Sequence, residues 1–302
     1  MIYSERAIEL LANRTQKAEE FWRQKFAEFD NSYGFIANGD ANYPNIVNSQ
    51  GRPIELGISK RTGLPNKKGA PEFLFYRGDI SLLGNLQNNV TVIGLTEPSS
   101  DIIQREQKIV AELVAQGFNI VSGLAKGCDT ISHETCLACG GKTIAILPST
   151  LTKIVPAENS KLANKIVKNG GLLITEYFTE PESRWDAVGR FIERDRLQAF
   201  FSTAVVLIAS YRHDDGKTSE KYPNDGVKRD SGSRHAMQAA FSVGRQRLVM
   251  YDCSISDQMN PELDLNRDLL YHSKTPATQL TRDAINALRS NNATNHDQTA
   301  LF

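Results

Sequence analysis

Six short apolar runs, at residues 90–95, 118–122, 143–147, 171–175, 204–209 and 247–251, alternate with segments of helical periodicity. Between the first two runs, Ile102/Ile103, Ile109/Val110 and Leu113/Val114 fall on one helical face. Such alternation predicts a parallel sheet in which a helix crosses between successive strands, so the fold class is α/β with helices on both faces. The unbroken apolar character of VTVIGL, TIAIL and AVVLIAS fits strands buried on both sides. Sheets of this kind bind ligands beyond the carboxyl ends of their strands. The loops that follow the strands are therefore where function is to be sought.

The flanks read differently. Over residues 1 to about 30, Ile8, Leu11, Ala18, Trp22, Phe26 and Phe29 recur at helical spacing, which predicts one amphipathic helix needing a partner surface, its own core or another subunit. From Asn31 to Ala70 the pattern dissolves into Gly, Asn, Pro and Ser, with turns at Tyr43-Pro44 and Gly51-Arg52-Pro53. The run Lys60 to Lys68 holds Lys60, Arg61, Lys67 and Lys68 without an acid and reads as a loop, solvated or in contact with nucleic acid. Apolar content falls after Cys253; a weak helix is expected near Gln279–Leu288 and a disordered tail after it, with no winged-helix pattern. The expected organisation is a helical and extended region over 1–70, a sheet domain over 71–252 and a partly disordered extension over 253–302.

Charge and cysteine content narrow the classes. Lys+Arg and Asp+Glu are equal at 35 each, which argues against a uniform positive coat while leaving room for a local basic groove. No apolar run reaches the ~18 residues of a membrane span, and MIYSERAIELL lacks the apolar core of a signal peptide. The four cysteines, Cys128, Cys136, Cys139 and Cys253, are too unevenly spaced for a disulfide framework, so a reducing cytoplasm is expected. A zinc site from Cys128, His133, Cys136 and Cys139 is set aside, because one short helix rarely turns four side chains onto a tetrahedral centre. Asp129 and His133 read as a structural or capping pair, and no cofactor is implied.

Several loops could hold phosphate. Ser122-Gly123-Leu124-Ala125-Lys126-Gly127 follows a strand and precedes a helix. Its glycines allow close backbone approach, the helix start offers N–H groups, Ser122 adds a hydroxyl and Lys126 a charge. The spacing is that of neither a Walker A loop nor a G-x-G-x-x-G turn. Gly94-Leu95-Thr96-Glu97-Pro98-Ser99-Ser100 is a second turn facing the same cleft, with Thr96, Ser99 and Ser100 as candidate contacts. Arg190, Arg194 and Arg196 come from RFIERDR, where Glu193 and Asp195 are the competing salt-bridge partners. Tyr211 to Asp230 reads as a long mobile insertion at the active end of the sheet. After it, Ser231-Gly232-Ser233-Arg234-His235 opens a second helix that brings Ser233 and Arg234 to the same edge.

Taken in order, these segments resemble the DprA/Smf family of DNA-processing proteins. The resemblance runs from Tyr43-Pro44 and Leu74-Phe75-Tyr76-Arg77-Gly78-Asp79 through VSGLAKGCDTISH (121–133) and GGKTIAILPS (140–149). It continues in Pro156-x-Glu158-Asn159, Thr175-Glu176-Tyr177, Phe191-x-x-Arg194-Asp195-Arg196 and Ser231-Gly232-Ser233. It implies a Rossmann-like sheet, here with an N-terminal helical appendage, and a homodimer that binds single-stranded DNA in a basic pocket and hands it to a RecA-like recombinase, without established catalysis. By position, Lys126, Arg194 and Arg196 would contact phosphates, and Gly94, Ser122, Gly123, Gly127 and Ser233 would line the pocket. The chain departs from the pattern in places: Gly94-Leu95-Thr96 stands where the family has Gly-Ser-Arg, and Asp195 replaces an asparagine. The long insertion and these losses suit a divergent branch such as the DprA-like antitoxins of phage-defence operons, whose partner would be a cognate toxin. The rival readings are therefore that antitoxin, acting by protein contact, and a nucleotide-sensing or nucleotide-hydrolysing domain, although the Pro-Gly-Gly-x-Gly-Thr loop of related hydrolases is absent.

Overall fold

The computed structural model describes residues 1–57, 68–212 and 232–297, with side chains to 290. Lys60, Arg61 and Lys67 of the basic run, most of the 211–230 insertion, Ser231 and the end of the tail lie outside the described residues. Among the described residues, ten strands form one sheet: β1 (Ile2–Tyr3), β2 (Tyr33–Ala37), β3 (Phe73–Gly78), β4 (Asn89–Ile93), β5 (Asn119–Ser122), β6 (Thr143–Ile146), β7 (Leu172–Thr175), β8 (Ala204–Leu207), β9 (Gln246–Val249) and β10 (Thr278–Gln279). The helices are α1 (Glu5–Thr15), α2 (Glu19–Ala27), α3 (Ser100–Ala115), α4 (Cys128–Ala138), α5 (Ser160–Lys168), α6 (Arg184–Phe200), α7 (Arg234–Ser242), α8 (Ile255–Met259), α9 (Asp264–Tyr271) and α10 (Arg282–Asp297).

The spatial order is β1-β2-β3-β7-β6-β5-β4-β8-β9-β10. From β7 to β10 every pairing is parallel, as the six apolar runs predict. β3 enters antiparallel to β7, and β2 antiparallel to β3. Residues before 71 and after 252 are thus hydrogen-bonded into the two edges of the same sheet, β1 and β2 at one and β10 at the other. Successive strands step from β4 to β7 in one direction, and β8 then returns to the far side of β4. That reversal opens the crevice where α/β sheets place ligands.

Side-chain alternation splits the core as a period of two requires. Val90 and Val92 pack with Ile102, Val110, Leu113 and Ile120 under α3 and α4, while Ile93 packs with Val205, Leu207, Met237 and Ala240 on the opposite face. Phe73 and Phe75 of β3 join Ile8, Leu11, Trp22 and Phe26, whereas Leu74 and Tyr76 join Ile144, Ile146 and Phe200.

The N-terminal amphipathic segment is two helices rather than one. Gln16 takes a left-handed conformation (φ 54°, ψ 35°) and caps α1 through its N–H to the Ala12 carbonyl. The turn lets Trp22 fold back and donate its indole N–H to Thr15 Oγ1 at 2.9 Å. Both apolar faces then lie on the chain's own sheet, so their hydrophobic pattern is satisfied without a second protein. The 253–290 segment is docked by apolar and charged contacts together: Leu263, Ile285 and Leu288 join the core with Ile102, Val110 and Leu113, Arg105 donates to both carboxylate oxygens of Asp257 (2.7 and 2.9 Å), and the Ser99 N–H donates to Glu262 at 2.9 Å. No helix among the described residues is long and apolar enough to cross a membrane.

Candidate functional site

A cleft of about 410 Å³ opens at the strand-order reversal. Its floor and walls come from Gly94 and Thr96 after β4, Ala125 and Lys126 after β5, the outward side of α6, and Gly232 and Ser233 at the start of α7. Ser233 Oγ reaches the Gly94 carbonyl at 3.4 Å and ties the last of these to the first. Sequence-predicted residues from four separate segments, Gly94, Thr96, Lys126, Arg194 and Ser233, are therefore brought together.

Arg194 is the central charge. Its side chain is only 6% exposed and lies 3.8 Å from Asp129 Oδ2, and its Nη1 donates to the Ile146 carbonyl at 3.3 Å. Asp195 Oδ1 approaches Arg194 Nε to 3.2 Å, yet among the described residues that N–H has no aligned acceptor and is a buried donor without a hydrogen bond. Gly123 makes room for this arginine: a Cβ there would stand 1.1 Å from Arg194 Nη1. Gly127, at φ +69°, lets the chain pass against the first loop, where a Cβ would meet the Leu95 carbonyl at 2.3 Å.

The loop between β5 and α4 is held differently from the expected cradle. Its Gly123 and Ala125 N–H groups donate to Asp129 Oδ2 at 3.1 and 3.2 Å. The Cys128 N–H donates to the Leu95 carbonyl at 2.9 Å. Ser122 is buried and donates to the Val92 carbonyl at 2.8 Å, so it shapes the strand end rather than facing the cleft. Burial pushes the Asp129 carboxyl above its ordinary value, with Arg194 pulling the other way. Asn159 clamps the loop from the far side, its Nδ2 donating to the Leu124 carbonyl, the Ala125 carbonyl and Thr130 Oγ1 at 2.9, 3.2 and 2.9 Å. Lys126, 60% exposed, pairs with Glu158 Oε1 at 2.9 Å.

The other predicted residues stand elsewhere. Ser99 precedes α3 and is taken by Glu262. Arg190 is buried over the Tyr177 ring at 4.4 Å, paired with Asp186, and donates to the Thr179 and Glu180 carbonyls. Arg196 is bidentate on Glu176 at 2.6 and 2.7 Å and reaches the Gly69 carbonyl, on the face of α6 turned from the cleft. Arg234 begins α7 outside the cleft lining. All three arginines are thus at most 7% exposed and each is held by a carboxylate, Asp195 pairing with Arg194 as its place in the sequence suggests, whereas Arg190 and Arg196 take Asp186 and Glu176. Asp129 and His133 do not pair with each other; His133 Nδ1 contacts Thr143 Oγ1 at 2.6 Å. Sequence reasoning missed Asp129, Glu158 and Asn159 as site residues, although the Pro-x-Glu-Asn spacing marked the last two.

The sheet is of the Rossmann type, with a cation-bearing cleft at the switch point where such folds place ligands. The family model for DNA recombination-mediator protein A matches residues 34–218, and the chain belongs to that family. The Smf protein of Synechocystis is 35% identical over 136 residues, covering 45% of this chain and 33% of its own. The DNA processing protein DprA of Streptococcus pneumoniae is 38% identical over 108 residues, 36% of this chain and 37% of its own. The chain thus spans about a third of the length of each of these curated relatives. The solved DprA structure from S. pneumoniae superposes with TM-score 0.60 at 21% identity, covering 91% of this chain and 88% of that one, and shares the fold. DprA from Helicobacter pylori, whose structure concerns its single-stranded DNA binding mode, superposes with TM-score 0.57 at 26% identity over 76% of this chain and 94% of that one.

Proposed function

We propose that this protein binds single-stranded DNA without sequence preference, its backbone phosphates lying in the cleft between the β4, β5 and β8 ends. The observation that carries the reading is the buried Arg194, seated by Gly123 and fronting the same cleft as Lys126, Thr96 and Ser233. Lys126 is exposed and its partner Glu158 equally so, and such pairs are weak and salt-screened, so a phosphate can displace the carboxylate. Family membership and the single-stranded DNA binding of the H. pylori relative support the same ligand and a binding role in DNA processing rather than catalysis.

The test is anisotropy of a labelled oligodeoxynucleotide across a salt series. Binding is expected to weaken steeply with salt. Lys126→Ala and Arg194→Ala are each expected to weaken it for all sequences alike, reducing the slope by about 0.7 for each phosphate no longer neutralised. Binding unchanged by both substitutions would remove the reading. Thermal stabilisation by mononucleotides with no oligonucleotide binding would replace it with nucleotide sensing.

A further inference from the structure

The apolar residues of α6 are the feature the phosphate cleft does not account for. Trp185 is 85% exposed, Val188 48% and Ile192 45%, at positions i, i+3 and i+7 of one helical face. Val188 and Ile192 are at the same time walls of the cleft, together with Phe191. An exposed apolar ridge thus begins in solvent at Trp185 and runs directly into the cation site, whose Arg194 sits on the same helix.

We infer that this ridge is a stacking platform for the bases of the strand whose phosphates occupy the cleft; the inference rests on the DNA-binding reading above. From Trp185 to Ile192 the helix rises about 10 Å, the length of about three bases at a stacking distance of about 3.4 Å. The ridge offers ring and aliphatic surface, with the indole N–H its single polar group, so it holds bases without reading their edges. A second copy of the chain fits the ridge poorly. Its exposed area, on the order of 400 Å², is half the ~800 Å² per partner of a stable interface, and covering it would close the cleft that Val188 and Ile192 line.

The two tryptophans make the test direct, because Trp22 is buried (1% exposed) and Trp185 is not. The probes are an unlabelled deoxyadenosine oligomer and an abasic oligomer of equal length and charge. The wild type is expected to bind the base-bearing oligomer more tightly, with quenching of Trp185 emission that the abasic oligomer does not cause. Trp185→Ala is expected to cost the base-bearing oligomer about 5- to 100-fold in affinity and the abasic one nothing; being so exposed, the position tolerates the change without loss of fold. Equal losses on both oligomers, or tight binding with unaltered Trp185 emission, would overturn the platform while leaving the phosphate site intact. Emission that shifts with protein concentration alone, accompanied by a doubled mass in sedimentation, would assign the ridge to self-association instead. Failure of both oligomers to bind would remove the DNA reading and the platform with it.

Discussion

On the proposed DNA-binding reading, Asp195 is the residue whose replacement should raise the cleft's affinity. It lines the cleft 3.2 Å from Arg194 Nε, its side chain 14% exposed, and it carries a negative charge toward any phosphate that Arg194 attracts. A carboxylate about 6 Å from a bound phosphate opposes it by ~0.7 kcal/mol in bulk water and by ~3 kcal/mol at the effective dielectric of ~20 that suits sites near a protein surface. The partial burial of Asp195 places the cost between these limits. Asp195→Asn keeps the side-chain shape, so the oligonucleotide dissociation constant is expected to fall by about 5- to 30-fold, or ~1–2 kcal/mol. The salt dependence should steepen at the same time, since the cleft gains a net positive charge. Anisotropy titrations between about 50 and 200 mM salt measure both quantities. Glu9→Gln removes an equal charge from an exposed position of α1 outside the cleft lining, so it serves as the control. Unchanged binding in Asp195→Asn, or an equal gain in the two variants, would refute the argument that the local field of the cleft sets affinity.

Gly123→Ala should drive the Arg194 guanidinium from its seat, lowering oligonucleotide affinity about as far as Arg194→Ala while circular dichroism stays native; a variant that binds normally would show that the seat is unimportant. Arg196→Ala should act on stability instead, because it strands the half of a bidentate pair held by Glu176 at low exposure; a loss of ~3–5 kcal/mol is expected in urea unfolding. Beneath α4, burial pushes the Glu106 carboxyl up to about 8 from 4.5 and His133 down to about 3 from 6.5. Glu106 contributes stability present below its unfolded value and lost as pH rises from about 4.5 toward 8, and His133 contributes stability present above 6.5 and lost as pH falls toward 3. Glu106→Gln, which can still accept from Ser132, should therefore flatten the alkaline fall by on the order of a few kcal/mol between about pH 5 and 8. Denaturation curves with the same pH slope as the wild type would count against it.

The N-terminal segment shows how far periodicity reaches. Ile8, Leu11, Trp22 and Phe26 announce an apolar face, but only the backbone turn at Gln16 divides it into α1 and α2 and lays both on the sheet. Tyr33–Ala37, in a stretch dominated by turn residues, is a strand because β3 offers it a pairing edge that no local signal announces.

The same division holds in the cleft. Alternating apolar runs determined the parallel sheet, because backbone pairing and strand burial leave their period in the sequence, and a parallel sheet directs the search for a ligand to its carboxyl edge. Glycine, lysine and arginine positions then nominated the contacts. Only the tertiary structure decided which of them meet. Arg194 and Arg196 are two residues apart, about 200° around a helix, so one faces the cleft and the other is consumed by Glu176. Ser122 has the chemistry of a ligand and is a strand-end support, and the N–H groups of Gly123 and Ala125 are already claimed by Asp129. Which charge can receive a phosphate depends on partners remote in the chain, and no spacing along it records them.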